Sequence, residues 1–96
     1  MQYSSPVKLF SWDTAKNNWL KAERKVSFEQ VVIQIAQGHV LDLVEHPNPR
    51  RHPGQRMFIV EIDGYAYLVP FVENKNDCVL KTIIPSRKAT KKYLKK

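Results

Sequence analysis

Asp63-Gly64 lies between two apolar, aromatic-rich runs, residues 56–62 and 65–72. A two-residue hairpin turn of the favoured type needs positive φ at both central positions, and Asp-Gly supplies it at little cost. The pair predicts an antiparallel hairpin and commits the chain to a sheet. Residues 40–45 read as a strand before it, residues 73–77 as a second polar turn, and 78–84 as a further run. Consecutive strands on short turns give an antiparallel meander of four strands. Pro70 falls inside the second run. It has no N–H for a ladder, so a bulge or a broken strand is expected there.

Helices come first. Ser27-Phe28-Glu29-Gln30 spells a capping box, in which Ser27 accepts from the backbone three residues on and Gln30 reaches back. Phe28, Val31, Val32, Ile35 and Ala36 then repeat with helical period, and Gly38 ends the run. Asp13 predicts the N-cap of an earlier helix over about 14–24, with Ala15, Trp19 and Ala22 on one face. Residues 1–9 read as irregular, and residues 46–54, with three prolines, as a loop. The expectation is an α+β fold: two N-terminal helices packed on a four-stranded antiparallel sheet, with a short basic C-terminal helix. With 96 residues, one domain spans 1–96.

That last helix carries the charge. The chain has 16 Lys+Arg against 9 Asp+Glu, a formal net charge of +7. Residues 81–96 hold seven of the positives and no acid, so residues 1–80 are balanced. Such asymmetry points to a polyanion or an acidic protein as partner, with a solvated, disordered tail as the plainer alternative. The spacing favours a helix. Arg87, Lys91 and Lys95 fall in one row and Lys88, Lys92 and Lys96 in the next, while Ala89 and Tyr93 lie opposite, flanked by Thr90 and Leu94. Ser86 predicts the N-cap and Pro85 the boundary. Like charges four residues apart cost about 0.2–0.5 kcal/mol per pair, so phosphates or carboxylates would firm this helix.

Other chemistries find little support. No run approaches the ~18 apolar residues of a membrane span. The start, Met-Gln-Tyr-Ser-Ser-Pro, has no secretory pattern, so no membrane partner is expected. A single cysteine, Cys78, makes the reducing cytoplasm the economical setting. His39, His46, His52 and Cys78 lack metal-ligand spacing, and the three glycines form no phosphate-cradling motif, so neither metal nor other cofactor is expected. Cys78 reads as a small buried residue of a strand. Arg50, Arg51 and Arg56 flank the Pro-rich loop. They are either solvated or available for bidentate contacts to phosphate. Tyr65 and Tyr67 alternate on a strand, where core packing is the plainer role and base stacking the functional one. Tyr93 borders the cationic stripe; it is a core residue, or a phenol whose pKa positive neighbours lower, placed to stack on a base or exchange a proton.

Phe10-Ser-Trp12-Asp13-Thr-Ala-Lys16, followed by Val26-Ser27-Phe28-Glu29, resembles the N-terminal signature of the BrnT family. Lys81-Thr-Ile83-Ile84-Pro-Ser86-Arg87-Lys88-Ala89-Thr90, followed by Tyr93, resembles that family's C-terminal block. The likeness spans nearly the whole chain in the same order. It implies the toxin of a type II toxin–antitoxin pair, with a fold similar to RelE and ParE. It also implies RNA cleavage, arrest of translation, and a cognate antitoxin through which alone operator DNA is reached. Relatives commonly carry Lys-His-Gly where this chain has Glu23-Arg24-Lys25, so a histidine base is absent at that point. Lys81 and Pro85-Ser86 also depart from the family's Arg and Ser-Ala.

RNA can be cut without a metal when its 2′-OH attacks the adjacent phosphorus and the 5′-oxygen leaves; the protein orients, neutralises charge and moves protons. On that expectation Arg87 stabilises the phosphate with help from Arg56 and Arg24, and Tyr93 transfers a proton or stacks. Lys88, Lys91, Lys92 and Lys95 hold the backbone of RNA or the ribosome, joined by Arg50 and Arg51, and Glu61 and Glu73 are possible bases. Three other functions share the pattern: a non-catalytic nucleic-acid-binding domain, a gyrase-poisoning toxin of ParE type, and a degenerate member retained as an antitoxin partner.

Overall fold

A computed structural model of the chain describes residues 9–95. β1 (Leu9–Ser11) precedes α1 (Thr14–Glu23) and α2 (Phe28–Ala36). Then come β2 (Val40–Glu45), β3 (Gln55–Ile62), β4 (Tyr65–Glu73), β5 (Asp77–Leu80), β6 (Ile84–Pro85) and α3 (Arg87–Tyr93). Among the described residues no helix is long and apolar enough to cross a membrane.

The fold is α+β, but the expected two N-terminal helices on a four-stranded antiparallel sheet must be corrected. The sheet has six strands in the order β1-β5-β4-β3-β2, with β6 also beside β4. It is mixed, because β1 pairs parallel to β5 with Phe10 opposite Cys78. Three residues are too few to show a period, and the partner lies near the other end of the chain, so nothing local marks β1 as a strand. The expected last run also divides. β4 continues unbroken through Pro70, whose carbonyl accepts from the Lys81 N–H at 2.8 Å. Pro70 has no N–H to return. On that edge β5 pairs with Phe71, Val72 and Glu73, and β6 with Tyr67 and Leu68. The break expected at the proline falls on its neighbour instead.

Local signals account for the element ends. Asp13 Oδ2 accepts from the Lys16 N–H at 2.9 Å and caps α1. The Ser27–Gln30 box is formed in both directions. α2 ends with His39 N–H bonded to Gln34 O at 2.8 Å and Gly38 N–H to Ile35 O at 3.1 Å, with Gly38 at φ 78°. That is a Schellman close. Asp63 and Gly64 turn the hairpin at φ 51° and 78°.

Strand alternation builds two apolar layers. Phe58 and Val60 of β3 and Val69 and Phe71 of β4 pack under Leu20, Phe28, Val31 and Ile35 of the first two helices. Ile59, Ala66 and Leu68 face the other way and meet Ala89, Tyr93 and Leu94. The face of α1 needs correction too: Ala15, Trp19 and Ala22 are exposed, whereas Asn17 and Leu20 are buried. Asn17 goes inward because Oδ1 accepts the Phe28 N–H at 2.8 Å and Nδ2 donates to Glu29 Oε1 at 2.7 Å, satisfying the open end of α2.

Lys25, at φ 58°, occupies left-handed backbone between α1 and α2. Because a side chain is strained there, Lys25→Gly is expected to raise stability by about 0.5–1 kcal/mol, read from the urea midpoint. A lower midpoint would mean that the contact of Lys25 Nζ with Ala22 O, at 3.1 Å, outweighs the backbone strain.

Candidate nucleic-acid interface

α3 has only seven residues, too few to persist without a support. Ser86 Oγ accepts from the Ala89 N–H at 3.0 Å and caps it. Thr90, buried, fixes it to the sheet: its Oγ1 accepts from the Ala66 N–H at 2.9 Å and donates to Ser86 O at 2.8 Å. The Ser86 N–H in turn donates to Ala66 O at 3.0 Å. Both backbone groups of Ala66 on that side of β4 are thus satisfied by α3 and its cap.

Docking sorts the side chains. Ala89 and Thr90 are buried, Tyr93 and Leu94 half-buried, and Arg87, Lys88, Lys91, Lys92 and Lys95 exposed. Among the described residues none of these five cations forms an ion pair; the pairs present are Lys21–Glu29 and Arg56–Glu73. Lys96 lies outside the described residues. A groove of about 250 Å³ lies beside the helix. Val44, Met57, Ile59 and Leu68 form its apolar lining, with Lys88 and Lys92 at its helical side and Tyr93 beside them.

A register shift between Val40 and Asp42 marks a bulge in β2. Bulges re-aim side chains. Here Leu41, Asp42 and Val44 all serve the α3 side, while Val40 and Leu43 serve the other. The Tyr93 hydroxyl donates to Asp42 Oδ2 at 2.5 Å, and Asp42 Oδ1 accepts from the Leu43 N–H at 2.8 Å. The Tyr93 hydrogen bond, then that of Leu43, holds the Asp42 carboxyl below its ordinary pKa. The same bond, with burial second, raises the Tyr93 phenol. This corrects the expected lowering by cations: the Asp42 carboxylate bonds the hydroxyl directly, whereas Lys92 lies over the ring with its Nζ 5.2 Å from the centre.

The four expected catalytic residues, Arg87, Tyr93, Arg56 and Arg24, do not converge. Arg56 alternates with Phe58 and Val60, so it lies on the face covered by α1 and α2. There it pairs with Glu73 and sits 5.4 Å from the centre of the Phe71 ring. Arg24 donates to Ile83 O at 2.5 Å, with its guanidinium 5.0 Å from the ring of exposed Trp19. Lys16 approaches the same ring at 4.6 Å. Of the two carboxylates considered as bases, Glu73 is engaged by Arg56, and Glu61 is half-buried at the hairpin end of β3. Arg50 and Arg51 are exposed in the Pro-rich loop. In that loop His46 and His52 stack with ring centres 4.0 Å apart; burial first, and His52 second, lower the His46 pKa.

Tyr67 packs against the main core and burial raises its pKa, as befits a core role; Tyr65 meets it edge-on at 5.8 Å. Cys78 is fully buried in β5. Among the described residues no three His, Cys, Asp or Glu side chains gather in a metal-binding group. Asp42 and the groove residues Met57, Ile59 and Leu68 were not singled out from the sequence. The available signal was the unbroken apolar run Met57-Phe58-Ile59-Val60, which marks a strand covered on both faces. No family model, curated protein or solved structure matches the chain.

Proposed function

We propose that the chain is the toxin of a type II toxin–antitoxin pair, which cuts RNA without a metal, arrests translation in the cytoplasm and is neutralised by a cognate DNA-binding antitoxin. The observation that carries this reading is the exposed cationic half of α3, which forms no ion pair among the described residues, on a helix anchored by Thr90. The BrnT likeness at both ends of the chain supports it. Arg87 begins the row and is the residue assigned to phosphate; Lys91 and Lys95 follow the backbone. Operator DNA is reached only through the antitoxin.

A second reading, a non-catalytic nucleic-acid-binding domain, is favoured by one observation: Arg24, Arg56 and Tyr93 are each held by internal contacts. Induced expression without antitoxin, followed by pulses of labelled amino acid, uridine and thymidine, separates the readings. Growth arrest in which amino-acid incorporation fails first, together with RNA cleavage by purified protein in chelator, is the expected result. Arg87→Ala is expected to lower cleavage about tenfold or more. Tight RNA binding without cleavage would favour the second reading, and early loss of thymidine incorporation a gyrase poison. Harmless expression with no RNA binding would eliminate both proposed readings.

A further inference from the structure

We infer that the exposed ring of Trp19 on α1 is a stacking platform for a nucleobase of single-stranded RNA, with Lys16 and Arg24 set to take the neighbouring phosphates. This rests on the RNA reading and adds a base contact to the phosphate contacts of α3. Trp19 is 44% exposed, and α1 is anchored by buried Asn17 and Leu20 instead. A single exposed apolar residue is ordinary; the setting of this one is not. Lys16 Nζ lies 4.6 Å and Arg24 Cζ 5.0 Å from the centre of the ring. Ala15 and Ala22, exposed on the same face of the helix, offer only methyl groups and leave the ring open. An aromatic plane bordered by cations suits an unpaired base, which stacks while its backbone meets the charges. A protein hot spot is instead ringed by contacts that exclude water. The two cations are held differently. Arg24 Nη1 donates to Ile83 O at 2.5 Å, which fixes the guanidinium beside the ring, and a guanidinium has further N–H groups to offer a phosphate. Lys16 has no ion pair among the described residues, so an entering base displaces a flexible ammonium that can move to a phosphate. Ile83 also links the platform to α3. Its side chain lies in the core beneath α1 and α2, and the chain then passes through exposed Ile84 and Pro85 to the Ser86 cap on the other face of the sheet. Ile83 to Arg87 is at most about 14 Å of chain, so one RNA strand can reach both the ring and the first cation of α3.

The probe is an oligoadenylate of about eight nucleotides, compared with an abasic ribose-phosphate chain of the same length and charge. Trp12→Phe keeps a ring against Phe28 and leaves Trp19 the only tryptophan. In that variant the oligoadenylate is expected to quench the emission strongly and to shield the ring from acrylamide, and the abasic chain to do neither. With the parental Trp12 kept and end-labelled RNA as the readout, Trp19→Ala is expected to weaken oligoadenylate binding about tenfold or more, and Trp19→Phe less than about threefold. Trp19→Ala removes no phosphate contact, so the slope of log K against log salt is expected to stay the same, whereas Lys16→Ala is expected to make it less negative by about 0.7. Unchanged affinity in Trp19→Ala, or equal quenching by the abasic chain, would overturn the inference. So would equal weakening of both chains by Trp19→Ala, which would make the ring a structural support. Anionic lipid vesicles shifting the emission to the blue while RNA leaves it unaltered would make it a membrane contact and also overturn the inference. The two proposals fail separately: harmless expression sinks the toxin reading, and a base-independent Trp19 sinks only this one.

Discussion

Replacing Arg87, Lys91 and Lys95 together with alanine is expected to weaken binding of single-stranded RNA about a hundredfold near 0.1 M salt. The three cations are exposed and have no ion pair among the described residues, so each is free to displace a counterion from the RNA. Single strands release ~0.7 ion per contact, so the slope of log K against log salt becomes less negative by about 2 in the triple variant. The measurement is a fluorescence titration across a salt series. Lys75→Ala, on the exposed turn after β4, is the comparison and is expected to change the slope little. A triple variant with the parent slope would show that RNA lies elsewhere on the molecule.

Thr90→Val is expected to cost about 1–3 kcal/mol, a large share of the ~5–15 kcal/mol that holds a domain of this kind together. The two side chains have nearly the same shape, but valine cannot accept the Ala66 N–H or donate to Ser86 O. A buried donor is then left without a partner. Thr90→Ser keeps the hydroxyl and is expected to cost less than the valine variant. Urea unfolding gives the stabilities, and hydrogen exchange at the Ala66 amide reports the lost anchor directly. A valine variant as stable as the serine one, with Ala66 still protected, would mean that packing of Ala89 and Leu94 alone secures α3.

The parts of the fold that were legible are those fixed within a few residues. The Ser27–Gln30 box, the Gly38 close, the Asp63-Gly64 turn and the Ser86 cap each depend on neighbours in the chain, and each appears where expected. The parts that were not legible depend on partners far away. β1 is a strand only because β5 is beside it. Pro70 breaks not its own strand but the one that pairs with it. Asn17 turns an apolar-looking helix face around because a second helix needs its carbonyl. The candidate site divides the same way. The sorting of α3 into a cationic and a packed half follows from its own spacing. Arg56 was separated from that half by a choice of sheet face that no local pattern announces, since β3 is apolar on both sides. The bulge that brings Asp42 to Tyr93 is equally silent in the sequence.

The parallel pairing of β1 with β5 also governs when the molecule can be finished during synthesis. Leu9, Phe10 and Ser11 leave the ribosome well before Asp77, Cys78 and Val79, their strand partner among the described residues. A vectorial chain must keep β1 waiting while both early helices and the central hairpin emerge, and the loop to be closed runs from Ser11 to Asp77. β1 is therefore among the last strands to gain its place, and a chain truncated before β5 would yield a sheet with an unclosed margin.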